Sequence, residues 1–321
     1  MSKSEGAGIG AMGELLVEFV ARSRNGHHLV AGTYDGPFAS GAPGIFIDQA
    51  ARVGGRAIFA GAVGDDAFGT VLRDRLAAVG VAQDLIATAP GVPTGSAFVS
   101  YNDDGSRDFV FNIAHSAAAR FPRGPAAIAT FLQFGTNIFH ISGSSLGDPQ
   151  MCAAALDFCR ALSAEGVAIS FDPNVRKELL GDPGYLGAVT ALIELATYFL
   201  PSLEDAQVLF PGESFDVYAP RLIAQGCRYV VLKRGADGCE ALGPHGEHLS
   251  LSAHRVEVVD PTGAGDCFCA TFVTLLGTQG FSLPQALRHA NAAGALAVTR
   301  LGPMEGNSDL TQITAFLAAQ G

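Results

Sequence analysis

The second half of the chain alternates between apolar residues at helical spacing and short, uninterrupted apolar runs. Pro149 to Glu165 has the helical spacing, with a proline at a favourable first position, and Val167 to Phe171 has the pattern of a strand. The alternation continues with a helix over Gly184 to Ala196, strands over Tyr198 to Leu200 and Val230 to Leu232, and a helix over Phe281 to Thr299. Continuous apolar strands are buried on both faces. This pattern predicts an α/β fold in which helices cover both faces of a mostly parallel central sheet.

The first half of the chain has shorter runs with a looser, β-like pattern. Ser96 to Tyr101 and Asp108 to Ile113 have the pattern of two strands, and the polar residues between them, 102–106, are typical of a hairpin turn. A similar β pattern covers Leu15 to Thr33. We therefore expect a small β-sheet lid built from roughly 15–40 and 95–114. Because no linker or internal repeat is visible, we expect this lid to be an insertion in a single α/β domain spanning 1–321.

Composition excludes several classes of partner. The chain has 321 residues, of which 48% are hydrophobic and 16% charged, as in an ordinary globular protein with a sizeable core. Its net charge of -11 and its lack of basic runs argue against nucleic acid and anionic membranes. The polar N-terminus and the absence of a long apolar run predict a cytoplasmic protein. The six cysteines lack the spacing of a metal finger.

The most informative segment is the turn Asp260 to Asp266, which leads into the apolar stretch Cys267 to Leu276. Its proline and two glycines predict a tight turn followed by the start of a buried helix. The backbone amides of such a turn, together with the helix dipole, favour an anion such as a phosphate. A carboxylate at Asp266 would lie beside that anion and could accept the proton of an attacking hydroxyl. The residues alone equally allow Asp266 to act only as a helix cap.

This turn and several other segments resemble the ribokinase-like (PfkB) carbohydrate kinases over nearly the whole chain, and the 2-keto-3-deoxygluconate kinases most of all. Asp260 to Phe268 fits the family signature D-T-x-G-A-G-D, with Pro261 in place of the first threonine. The N-terminal signature is matched in part at 40–45, 51–54 and 61–69. Further matches follow in the family's order at 139–143, 172–176, 201–206 and 231–238.

The resemblance implies a three-layer sandwich with a β lid, and an ATP-dependent kinase that phosphorylates a primary hydroxyl of a small sugar or sugar acid. It implies Mg²⁺ as a cofactor, leaves activation by K⁺ open, and makes a homodimer through paired lids an option. The residues it assigns are Gly263, Ala264 and Gly265 for the anion hole, Asp266 for the base, Ser202, Lys233, Gly235, Gly238 and Asn291 for the nucleotide, Gly41, Arg176 and Asp266 for the sugar, and Asp205 for the metal.

Two of these residues also carry a physical argument. Lys233 ends a predicted strand, where its ammonium could meet a phosphate, and the glycines that follow let backbone lie against a nucleotide. Arg176 lies just beyond another strand end, where a guanidinium can bind the carboxylate of a sugar acid with two hydrogen bonds. The same guanidinium could equally bind a phosphate or the neighbouring Glu178.

Departures from the family pattern leave the substrate open. Ile45 replaces an asparagine that commonly contacts the sugar, and Ser40 replaces a glycine. In the lid, Phe109 to Asn112 stands where 2-keto-3-deoxygluconate kinases usually have tyrosines and an arginine. A fructokinase-like or nucleoside kinase is therefore an alternative, as is a sugar-responsive protein that keeps the fold without the chemistry. A Rossmann oxidoreductase is not supported, since no G-x-G-x-x-G follows the first strand.

Overall fold

The computed structural model describes residues 7–120 and 122–320. Within them the strands are β1 (Gly8–Met12), β2 (Leu16–Ala21), β3 (Tyr34–Ser40), β4 (Arg56–Gly64), β5 (Ala82–Ala89), β6 (Gly95–Tyr101), β7 (Arg107–Asn112), β8 (Thr136–Ser142), β9 (Ala168–Asp172), β10 (Tyr198–Phe199), β11 (Tyr229–Lys233), β12 (Cys239–Leu242) and β13 (His248–Leu251). Nine strands form one sheet in the order β13-β12-β11-β10-β9-β8-β1-β4-β5, and four form a second sheet in the order β3-β2-β6-β7.

The large sheet is parallel from β5 through β11, and β12 and β13 extend it as an antiparallel edge. The helices are α1 (Ala42–Arg52), α2 (Ala67–Ala78), α3 (Pro125–Phe134), α4 (Pro149–Ala164), α5 (Pro183–Leu195), α6 (Leu203–Leu209), α7 (Phe215–Ala224), α8 (Ala264–Thr278), α9 (Leu283–Ala297) and α10 (Leu310–Gln320). One apolar core joins a sheet face to α1, α2, α8, α9 and α10, and a second core joins the other face to α3 to α7. The predicted α/β sandwich, with helices on both faces, is confirmed.

Local sequence signals explain where the helices begin. The Asp148 carboxylate accepts hydrogen bonds from the amides of Gln150 and Met151, and Pro149 occupies the first turn of α4. Ser282 and Gln285 form a capping box at the start of α9. Both helices fall within two residues of the predicted bounds, since caps and prolines act locally. Within the described ranges, every helix is too short or too polar to cross a membrane.

The second sheet contains the predicted hairpin of β6 and β7, and β2 joins it in parallel to β6. The β pattern over Leu15 to Thr33 was wrong beyond residue 21, because β2 ends there and a loop runs to β3. Asn25, His27 and His28 have positive φ angles, which a strand does not allow. Asn25 and His27 instead hydrogen-bond Asp103 and Asp108, which fold the loop onto the neighbouring hairpin.

The parallel strands place several polar residues at one edge of the large sheet. β8 ends at Ser142, which is in register with Asp172 at the end of β9, and β11 ends at Lys233. Glu14 follows the end of β1. Ligands of open α/β sheets bind at the carboxyl ends of the strands, so this edge is where a functional site is expected.

Candidate active site

The turn before α8 has the geometry of an anion site. Gly263 is the N-cap residue of α8 and adopts a left-handed conformation with φ 84° and ψ -8°. A Cβ atom at this position would lie 2.5 Å from the carbonyl oxygen of Pro303, so glycine is required here. Among the described residues, no side chain caps this helix. The first amides of α8, including those of Ala264 and Gly265, therefore remain available to an anionic ligand.

Asp260 holds this turn in place and connects it to the small sheet. Its fully buried carboxylate accepts hydrogen bonds from the amide of Thr262 at 2.9 Å and from the amide of Gly302 at 3.0 Å. The hydroxyl of Tyr101, at the end of β6, donates to the same carboxylate at 2.5 Å. Arg107, at the start of β7, donates to the Thr262 hydroxyl at 3.3 Å. The small sheet is thus tethered to the anion turn by two side chains.

Asp266 lies in the first turn of α8 and is 9% exposed. Burial raises its pKa well above the usual range of a carboxyl group, and the negative charge of Asp172 adds to this effect. Lys233 and Arg176 oppose it. A carboxylate with raised proton affinity, placed beside an anion turn, is suited to accept a proton during a reaction.

Lys233 lies beneath the anion turn. Its ammonium is paired with Asp172 and lies 3.4 Å from the sulfur of Cys269. A Cβ atom built on Gly265 would lie 3.4 Å from Lys233 Nζ, which places the positive charge directly behind the turn. The side chains of Lys233 and Asp172 are only 12% and 4% exposed. The sequence placed Lys233 at a strand end facing a phosphate but gave no indication of this buried partner.

The charge of Arg176 lowers the pKa of Asp266. Its backbone amide donates to the Tyr185 hydroxyl at 2.9 Å, which fixes the main chain after β9. Its guanidinium carbon lies 5.9 Å from the centre of the Phe111 ring in β7. It pairs with no acidic side chain of the described residues, Glu178 included. The guanidinium is therefore available to an anionic group.

Two buried glutamates that the sequence reasoning missed line the same region. Glu14 accepts hydrogen bonds from the Ser144 and Ser145 hydroxyls at 2.8 and 2.5 Å. Glu18 is 3% exposed and accepts one hydrogen bond, from Ser40 at 3.2 Å, whereas its Oε1 atom has no partner among the described residues. Burial, followed by the charge of Asp260, raises the pKa of Glu18 to about 7. The sequence signal that could have identified them is the presence of two acidic residues in an otherwise apolar segment.

Gly41 is the N-cap residue of α1 and lies against the chain that carries Glu14. Its φ is 106°, and a Cβ atom would lie 2.4 Å from the carbonyl oxygen of Glu14. The glycine thus allows the start of α1 to approach the end of β1 closely. This places the predicted sugar residue Gly41 beside Ser40 and the buried Glu14.

Ser202 and Asp205 lie at the start of α6, next to the end of β11. They form a capping box in which the Asp205 carboxylate accepts from the amide and hydroxyl of Ser202 at 2.8 and 2.7 Å. The other oxygen of Asp205 accepts from the amide of Val175 at 2.7 Å. Asp205 therefore joins the start of α6 to the segment that carries Arg176.

The remaining predicted nucleotide residues lie beyond β11. Gly235 has φ 53° and open space around its Cβ position, whereas a Cβ atom on Gly238 would lie 1.9 Å from the Leu251 carbonyl oxygen. Gly238 thus serves the close packing of its own turn, and Gly235 leaves room for a ligand. Asn291, in α9, donates to the Ser252 carbonyl oxygen at 2.8 Å.

Comparisons with known proteins identify the family of this chain. Residues 16–310 match the model of the pfkB family of carbohydrate kinases. A 2-dehydro-3-deoxygluconokinase of Bacillus subtilis (strain 168) is 28% identical, over 96% of this chain and 94% of its own. An E. coli protein provisionally named ribokinase II, solved with ATP and Mg²⁺, is 38% identical with a TM-score of 0.90, covering 98% of this chain and 99% of its own.

A fructokinase double mutant from Vibrio cholerae O395, solved with fructose, ADP and a potassium ion, is 25% identical with a TM-score of 0.80. The alignment covers 98% of this chain and 100% of the fructokinase chain. The family model spans most of the chain and ends beyond the anion turn and Asp266. The chain belongs to the pfkB family of carbohydrate kinases and is a phosphotransferase with an alcohol group as acceptor.

Proposed function

We propose that this sugar kinase transfers the γ-phosphate of ATP to a primary hydroxyl of a small sugar acid similar to 2-keto-3-deoxygluconate. The observation that carries the proposal is the Arg176 guanidinium, whose charge acts on Asp266 and which has no acidic partner among the described residues. A guanidinium matches a carboxylate with two parallel hydrogen bonds. A sugar whose carboxylate binds Arg176 would direct its far hydroxyl towards Asp266.

In this mechanism Asp266 accepts the proton of the sugar hydroxyl as the hydroxyl oxygen bonds to the γ-phosphorus and the bond to the ADP oxygen breaks. The amides of Gly263, Ala264 and Gly265 stabilise the negative charge on the transferring phosphoryl group. Tyr101 and Arg107 hold the small sheet over the turn, so that it excludes water and limits ATP hydrolysis.

We propose that the nucleotide lies along Ser202, Lys233, Gly235, Gly238 and Asn291, with its phosphates at the turn. The uncapped start of α8 fits a polyphosphate.

The family also implies Mg²⁺, which neutralises phosphate charge when bound. Asp205 Oδ1 accepts a single hydrogen bond, from Val175, and so retains an acceptor position suited to a metal-bound water.

A neutral sugar such as fructose is the second candidate, and the lid supports it. The rings of Phe109 and Phe111 stack 5.1 Å apart on the lid face that meets Arg176, and they offer no polar group to a charged substrate. A nucleoside acceptor, or binding without catalysis, remains a less supported alternative. The exposed Val110, on the opposite face of β7, also suits a homodimer through paired lids, which sedimentation of the purified protein would test.

The test is release of ADP with ATP and Mg²⁺ against 2-keto-3-deoxygluconate, fructose, tagatose, ribose and a nucleoside. We expect the sugar acid to be the best substrate. Asp266→Asn should lower its kcat by about 10²- to 10⁴-fold while nucleotide binding persists. Arg176→Met should raise its KM by about tenfold or more and leave the KM of a neutral sugar nearly unchanged. Normal turnover by Asp266→Asn would contradict the mechanism, and preference for fructose would favour the second candidate.

A further inference from the structure

The ion pair of Asp172 and Lys233 has an unusual position for a structural pair. It joins the ends of two strands that are not neighbours, since β10 lies between β9 and β11. One Asp172 oxygen accepts from Lys233 and from the Cys269 thiol, and the other, Oδ1, has no partner among the described residues. A buried pair gains little stability over apolar side chains of the same size. Its place beneath the anion turn indicates another role.

The charges of groups on several elements act on Asp266. Asp172 and Arg176 come from the end of β9 and the segment after it, Lys233 from β11, and Glu14 from the segment after β1. The Asp172 and Lys233 charges act on Asp266 in opposite directions. Asp172 favours the protonated carboxyl, and Lys233 favours the carboxylate.

We infer that Asp172 and Lys233 form a positioning pair that sets the proton affinity of the base Asp266. Asp172 holds the Lys233 ammonium behind Gly265, where its charge keeps Asp266 able to lose its proton and adds positive potential beneath the anion turn. Asp172 in turn limits that effect, so that Asp266 can still take a proton from the sugar. The inference rests on the proposed role of Asp266 as the base.

The proposed role of Asp172 and Lys233 leads to a prediction that a purely structural role does not. Loss of Lys233 raises the pH at which Asp266 titrates, whereas loss of Asp172 lowers it. If the pair only stabilises the fold, both losses weaken the protein without moving the titration in opposite directions. Lys233→Met leaves Asp172 buried without a cationic partner and is the variant most prone to misfold. The double variant Asp172→Asn/Lys233→Met avoids this, and its comparison with Asp172→Asn isolates the lysine charge.

The experiment follows the Asp266 carboxyl carbon by carbon-13 NMR in protein labelled at aspartate, with the resonance assigned by its loss in Asp266→Asn. This readout needs no sugar. We expect the titration midpoint to fall in Asp172→Asn relative to the wild type. We expect it to rise in the double variant relative to Asp172→Asn. Arg221→Met, which removes a cation from the surface pair with Glu213, is the control and should leave the midpoint unchanged.

Kinetics then separate the inference from the proposed function. For a sugar that the enzyme phosphorylates, the acid limb of the pH profile of kcat/KM should shift by the same amount as the NMR midpoint. Each shift of one pH unit should change kcat/KM on that limb by about tenfold. Opposite NMR shifts without turnover of any sugar would support the pair and overturn the proposed substrates. Midpoints that stay fixed, or that move in the same direction on loss of either charge, would overturn the inference even if sugar is phosphorylated.

Discussion

Replacement of Glu18 by glutamine should change how the stability of the protein depends on pH. Glu18 is 3% exposed on β2, with one carboxylate oxygen bonded to Ser40 and the other without a partner among the described residues. Burial and the charge of Asp260 raise its pKa from 4.5 to about 7. The folded state therefore prefers the neutral carboxyl, which Glu18→Gln resembles in shape and charge.

The sign and size follow from proton linkage. Because the folded pKa is higher than the unfolded pKa, the fold holds a proton that the unfolded chain has lost, and stability falls as pH rises from about 4.5 to about 7. The penalty from Glu18 is about 1.5 kcal/mol at about pH 5.5 and about 3.5 kcal/mol at about pH 8.5. Between these two conditions the wild type should lose about 2 kcal/mol that Glu18→Gln does not lose.

Urea denaturation of both proteins at the two pH values measures this difference. The exposed Glu257→Gln is a matched control that removes the same charge from the surface. We expect Glu18→Gln to gain stability over the wild type mainly at the higher pH, and Glu257→Gln to follow the wild type at both. An equal gain at both pH values, or none, would show that Glu18 is not a buried carboxyl with raised proton affinity.

Two further substitutions test the lid tether and the anion turn. Tyr101→Phe removes the hydrogen bond from Tyr101 to Asp260, whereas Asp260 keeps its hydrogen bonds from the amides of Thr262 and Gly302. The KM for the sugar should therefore rise by about tenfold while the melting temperature changes little. An unchanged KM would refute the tether. Gly263→Ala strains a positive φ and brings Cβ to 2.5 Å of Pro303, whereas the control Gly80→Ala strains a similar φ in open space. Denaturation should show that Gly80→Ala lowers the free energy of unfolding by about 1 kcal/mol and that Gly263→Ala lowers it by clearly more. Gly263→Ala should also bind the nucleotide more weakly. Equal losses of stability in the two variants would argue against a tightly packed turn.

Local signals in the sequence determined much of this protein. Apolar runs alternating with helical spacing predicted the α/β sandwich, and Pro149 marked the start of α4. The proline and glycines of the segment 260–266 predicted a tight turn that leads into α8, with Asp266 in the first turn of that helix. These features are readable because caps, turns and periodicity depend on residues within a few positions of one another.

The tertiary structure decided the partners and the charges of the site. The pairs Asp172–Lys233 and Tyr101–Asp260 join residues 61 and 159 positions apart. They meet because parallel strands bring their carboxyl ends to one edge and the small sheet lies over that edge. The proton affinities of Glu18 and Asp266 depend on burial and on neighbouring charges that only packing supplies. A linear pattern can identify a carboxylate, but the fold determines whether it holds a proton.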